Sequence, residues 1–136
     1  NLHFFKGGIT MSVKFNVVER GNPSNPAAPK KFYPSPVSTD RVEMRGVVNR
    51  VAEMSTISTP DTMAAVESLL KVIPSYISEG RIVDLGDFGS FWLRLKSSGS
   101  DTEDQVSAEN VKNVLVLFRP GPEFERILDD IKFRKV

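Results

Sequence analysis

The chain has 136 residues, enough for one domain with a real core and too few for two independent ones. Its 18 basic and 17 acidic residues nearly cancel, so composition alone lacks the positive excess of many nucleic-acid binders. Disulfides and thiolate metal sites are excluded by the absence of cysteine. No run approaches the roughly 18 apolar residues of a membrane span, and the N-terminus lacks a signal-peptide pattern. A soluble, cytoplasmic protein is the expectation.

Residues 1–10, Asn-Leu-His-Phe-Phe-Lys-Gly-Gly-Ile-Thr, precede Met11 and read as an expression leader that carries the sole histidine, His3. Residues 11–37 form an N-terminal extension. Within it, Val13, Phe15 and Val17 alternate with Lys14, Asn16 and Val18, which predicts a strand with one apolar face. Gly21 to Pro29 ends that strand, because each proline lacks an amide donor and fixes φ. Lys30-Lys31-Phe32-Tyr33-Pro34 is a second extended piece able to pair back as a hairpin. Lys30 and Lys31 invite a phosphate-binding reading beside the plainer one of solvated edge charges.

Residues 38–136 hold the main domain. Ser38 or Thr39 is positioned to cap a helix whose inward face is Met44, Val47, Val48 and Val51. Thr59-Pro60-Asp61 starts a second helix, with Thr59 as cap and a stripe of Val66, Leu69, Leu70, Ile73 and Ile77. Pro74 lies inside it and predicts a kink. Gly80 stops the helix, and Ile82, Val83 and Leu85 read as a short strand. Gly86, Asp87 and Gly89 then supply a tight turn. Phe91, Leu93 and Leu95 alternate with Ser90, Trp92 and Arg94, the period of a half-buried strand, with Trp92 on the opposite face from Phe91. Lys96 to Asn110 is polar and reads as an exposed loop or β-arm. Val114 to Phe118 is an apolar strand ended by Arg119-Pro120-Gly121-Pro122. A short helix from Glu123 to Ile131 turns Phe124, Ile127, Leu128 and Ile131 inward. The last residues, 132–136, alternate basic with apolar like the first strand, and so predict a strand beside it.

This order of elements resembles the bacterial histone-like DNA-binding family of HU and integration host factor. The residues that carry it are Gly80, the Leu85-Gly86-Asp87-Phe88-Gly89-Ser90-Phe91 hairpin and Phe118-Arg119-Pro120-Gly121, across about residues 38–131. The extra terminal strands look like an elongated subgroup. The resemblance implies an α+β fold: two helices, a β-hairpin with an extended arm, a third strand and a short C-terminal helix, in an intertwined homodimer. It also implies two arms reaching around double-stranded DNA. Arg94, Lys96, Lys112 and Arg119 fall where the family contacts the backbone, with Lys30 and Lys31 as further candidates. The function implied is largely sequence-independent, architectural DNA binding in the nucleoid.

One stretch departs from the family. No proline occurs between Lys96 and Arg119, so the wedge that the family inserts between base steps is missing. From Lys96 to Phe118 two basic residues face four acidic ones. Each lost phosphate contact removes about 0.9 units of salt slope. This keeps open a second expectation, a dimeric protein-interaction module with weak or no DNA binding. An enzyme is not expected, since no His/Cys cluster, nucleophile elbow or phosphate-cradling loop is present. Neither a cofactor nor a small-molecule substrate is expected.

Overall fold

The computed structural model describes residues 12–136, so the expected leader with His3 lies outside the described residues. In chain order the elements are β1 (Ser12–Arg20), β2 (Lys31–Pro36), α1 (Met44–Glu53), α2 (Thr59–Ser78), β3 (Val83–Asp84), β4 (Gly89–Ser97), β5 (Val111–Pro120), α3 (Pro122–Asp129) and β6 (Lys132–Lys135). The chain divides into two compact units. One comprises the segments up to Thr56 and from Leu128 to Val136, the other Ile57–Ile127.

In the first unit the strands form a sheet ordered β2-β1-β6. β1 pairs antiparallel with β2 from Phe15↔Pro36 to Arg20↔Lys31, and parallel with β6 from Ser12↔Lys132 to Phe15↔Lys135. The terminal strands are therefore neighbours, as their shared alternation predicts. Pro34 and Pro36 are tolerated because β2 is an edge strand, where a missing donor costs no ladder bond. The turn after β1 is built by Asn22, whose Oδ1 accepts from the Ser24 amide at 2.9 Å.

α1 starts later than its capping residues suggest. Glu43 is the N-cap, in extended conformation and without a side-chain cap bond. Ser38 and Thr39 stay outside the helix because Val37 is tied to the sheet by donating to the Lys14 carbonyl at 2.8 Å. Of the predicted inward face only Val48 is buried; Met44, Val47 and Val51 are exposed.

In the second unit α2 is capped by Ser58, one residue before the expected Thr59. Its Oγ accepts from the Asp61 amide at 3.2 Å, and Pro60 occupies a first-turn position that needs no donor. The helix continues through Pro74 to Ser78 as a single element. It ends in a Schellman arrangement: Gly80, at φ +79°, donates to the Ile77 carbonyl and Arg81 to that of Tyr76.

A sheet ordered β3-β4-β5 follows. β3 is only Val83–Asp84, shorter than the expected run to Leu85, because Gly86–Phe88 coils into a 3₁₀ turn. Gly89, expected in the turn, is instead the first residue of β4. The β4–β5 ladder ends at Ser97↔Val111. The expected extended arm does not form as paired strands. Residues 103–105 and 108–110 make 3₁₀ turns instead, because a local network competes for the backbone. Asn110 is its centre: Nδ2 donates to the Ser98 carbonyl at 2.9 Å and to Ser100 Oγ at 2.8 Å, while Oδ1 accepts from the Ser107 amide at 2.8 Å.

α3 brings Phe124 against Phe88 and Phe118, with ring centroids 5.1 and 5.7 Å apart; Phe91 stacks on Phe118 at 4.7 Å. These ring contacts join α3 to the turn and to β5, with Phe88 and Phe118 still 44% and 37% exposed. Ile127 and Leu128, predicted to turn inward, are exposed. Among the described residues, no helix is long and apolar enough to cross a membrane.

Candidate nucleic-acid interface

The register of β4 and β5 sorts their side chains into two faces. Phe91↔Phe118, Leu93↔Val116 and Leu95↔Val114 lie on one; Ser90↔Arg119, Trp92↔Leu117, Arg94↔Leu115 and Lys96↔Asn113 lie on the other. Arg94, Lys96 and Arg119 therefore share a face. At about 3.3 Å per residue they are strung over roughly 20 Å, from the level of Ser90 to that of Lys96. All three are exposed, while Trp92, Leu115 and Leu117 between them are half-buried. Neither of this unit's ion pairs, Arg81–Glu79 at 3.1 Å and Arg126–Glu123 at 2.6 Å, involves them. Such a row of cations on a rigid ladder is suited to following a line of phosphates.

Lys112 stands apart. The ladder passes from Lys96↔Asn113 to Ser97↔Val111, so Lys112 is the extra residue of a β-bulge. Its Nζ donates to the Glu109 carbonyl at 3.3 Å. Between the strands, residues 98–110 hold four carboxylates and no basic side chain. Lys30 and Lys31 belong to the other unit, with Lys31 opposite Arg20 at the start of β2. Lys14, Arg20, Lys132 and Arg134 are not among the candidates that the family resemblance points to. Their signal was the alternation of basic with apolar residues in both terminal strands.

A family model described as "HU domain fused to wHTH, Ig, or Glycine-rich motif", HU-HIG, matches residues 11–135. The chain belongs to the HU-HIG family. DNA-binding protein HU-1 of Halalkalibacterium halodurans is 30% identical over 83 residues, covering 58% of this chain and 90% of that protein. DNA-binding protein HU of Streptococcus pyogenes is 30% identical over 63 residues, covering 46% and 69%. A crystal structure of a candidate DNA-binding protein from Bacteroides vulgatus superposes with a TM-score of 0.64 at 13% identity. It is matched over 92% of this chain, which spans 48% of that longer one, and the likeness concerns the fold.

In this HU-HIG chain the two motifs that mark the family are one physical junction. The Gly121 amide donates to the Phe88 carbonyl at 2.9 Å, and a Cβ on Gly121 would overlap the Asp87 carbonyl. The turn at Gly86–Phe88 and the Arg119-Pro120-Gly121 segment fit together only because Gly121 has no side chain. Asp84 accepts from the Gly86 amide at 2.9 Å and so serves this turn.

Proposed function

We propose that this chain is an architectural, largely sequence-independent binder of double-stranded DNA that acts as a homodimer in the bacterial nucleoid. Membership of the HU-HIG family carries the reading, and the shared face of Arg94, Lys96 and Arg119 supplies its chemistry. Relatives that bear the name DNA-binding protein HU support it. Contacts from arginine and lysine to phosphate give affinity without base readout, so the affinity is expected to fall steeply with salt.

The dimer is supported by what the chain leaves wet. Among the described residues the buried apolar side chains are Val48 and Ile77, whereas Val47, Val51, Leu69 and Leu70 are each 41–47% exposed. A chain of this length ordinarily buries far more. A second copy laid along the same stripes removes this area from water at about 25 cal/mol per Å².

The test is fluorescence anisotropy of two unrelated duplexes of about 20 base pairs at low salt. Comparable micromolar or tighter affinity for both supports the reading; no binding to either refutes it. A protein-interaction module is the second reading, and the four unopposed carboxylates of residues 98–110 favour it. It predicts that binding partners are retained after Arg94, Lys96 and Arg119 are all replaced.

A further inference from the structure

The near-neutral charge of the chain hides a division. Residues 57–127 hold seven basic and eleven acidic side chains. Residues 12–37 and 132–136, the β2-β1-β6 sheet and its hairpin loop, hold seven basic and one acidic. With a screening length of about 8 Å at physiological salt, a phosphate responds to the local cluster and not to the chain total.

Register places these charges. Arg20↔Lys31, Val18↔Tyr33 and Asn16↔Ser35 share one face with Ser12↔Lys132 and Lys14↔Arg134. The opposite face takes Val13, Phe15, Val17, Phe32 and Phe133, together with Lys135 and Glu19, the one carboxylate. Two contacts bear out the sorting independently. The Arg20 guanidinium lies 6.0 Å from the Tyr33 ring centroid, and Phe15, Pro34, Pro36 and Phe133 line a common apolar groove. One side of the sheet thus carries five cations and no carboxylate.

We propose that this basic face, Lys14, Arg20, Lys31, Lys132 and Arg134, is a second surface for the phosphate backbone of duplex DNA. The proposal rests on the DNA-binding reading above and adds a site to it. Lys14, Lys132 and Arg134 cluster at one end and Arg20 with Lys31 at the other, six residues along β1. That separation is about 20 Å by strand rise. A duplex carries one charge per roughly 1.7 Å of axis, so the face spans about a dozen phosphate charges. Edge protection does not account for the whole pattern: Lys14 is paired on both sides, to β2 and to β6, where there is no edge to guard. An anionic membrane is a poorer match, because the apolar side chains that would enter it lie on the other face.

The test uses the full chain and a fluorescent duplex across a salt series. One variant carries Lys14→Gln, Arg20→Gln, Lys31→Gln, Lys132→Gln and Arg134→Gln; another carries Arg94→Gln, Lys96→Gln and Arg119→Gln. A charge-keeping variant exchanges Lys for Arg and Arg for Lys at the five sheet positions. The five-Gln variant is expected to lose at least about 2 units of the slope of log K against log salt, and roughly tenfold or more in affinity near 100 mM. The charge-keeping variant is expected to retain both. Bound duplex is also expected to protect Lys14, Lys31 and Lys132 of the unmodified chain from acetylation, read by mass spectrometry, which requires no variant to fold. Wild-type binding with unchanged slope in the five-Gln variant and unprotected lysines would overturn the second surface while leaving DNA binding intact. No wild-type binding would overturn both. Phosphatidylserine vesicles that protect these lysines where the duplex leaves them unprotected would also overturn the assignment.

Discussion

The backbone of Gly89 passes so close to Arg119 that no side chain fits between them. A Cβ on Gly89 would overlap the Arg119 carbonyl oxygen and stand 2.7 Å from Phe118 Cε1, and φ is +142°. Both obstacles are backbone or packed aromatic, so neither yields cheaply. Gly89→Ala is therefore expected to cost about 2–4 kcal/mol and to lower the melting temperature by roughly 10 °C or more in thermal unfolding followed by circular dichroism. Gly99→Ala is the control: nothing lies within 4 Å of its Cβ position, and its melt is expected to stay near wild type.

Asn110 holds the segment where an extended arm was expected. It joins Ser98, Ser100 and Ser107 through three hydrogen bonds. Asn110→Ala removes all three and is expected to cost about 1–2 kcal/mol locally. Cleavage after Glu103 and Glu109 by a glutamate-specific protease is then expected to accelerate about tenfold, while the melt of the whole chain moves little. Unchanged cleavage would mean that the network does not order this loop.

Leu69 and Leu70 are 45% and 47% exposed in the single chain, and the proposed dimer would cover them. Leu70→Asp places a charge in that interface and is expected to convert the sedimentation profile from dimer to monomer or aggregate at micromolar concentration. A wild-type chain that sediments as a monomer at the same concentration would contradict the assignment.

The carboxylates of residues 98–110 oppose phosphate. Asp101→Asn, Glu103→Gln, Asp104→Asn and Glu109→Gln together are expected to tighten duplex binding several-fold at 50 mM salt, with a smaller gain at 300 mM. Equal affinity at both salts would show that the loop stays away from the duplex.

Much of the fold was legible because it is written in local chemistry. Gly80 and Gly86 read correctly as a helix stop and a turn, and the adjacency of β1 and β6 followed from a shared alternation. The misplaced element boundaries share one cause: capping and turn potential is local, whereas the partners that compete for those residues are distant in sequence. Ser38 could not cap α1 because Val37 is held by Lys14, and the arm collapsed onto Asn110. Of the candidate site residues, only the side of the strand that Arg94 occupies was readable from strand period, whereas Lys96, read as the start of the polar segment, continues that strand and face. That Arg119 joins their face needed the β4–β5 register, and that Lys112 leaves it needed the bulge.

The central claim is backbone binding of duplex DNA, and the slope of log K against log salt for the wild-type chain tests it most directly. Two duplexes of unrelated sequence are expected to give the same slope, steeper than about −4, from several phosphate contacts at roughly 0.9 units each. A slope near zero, or slopes that differ widely between the two sequences, would contradict it.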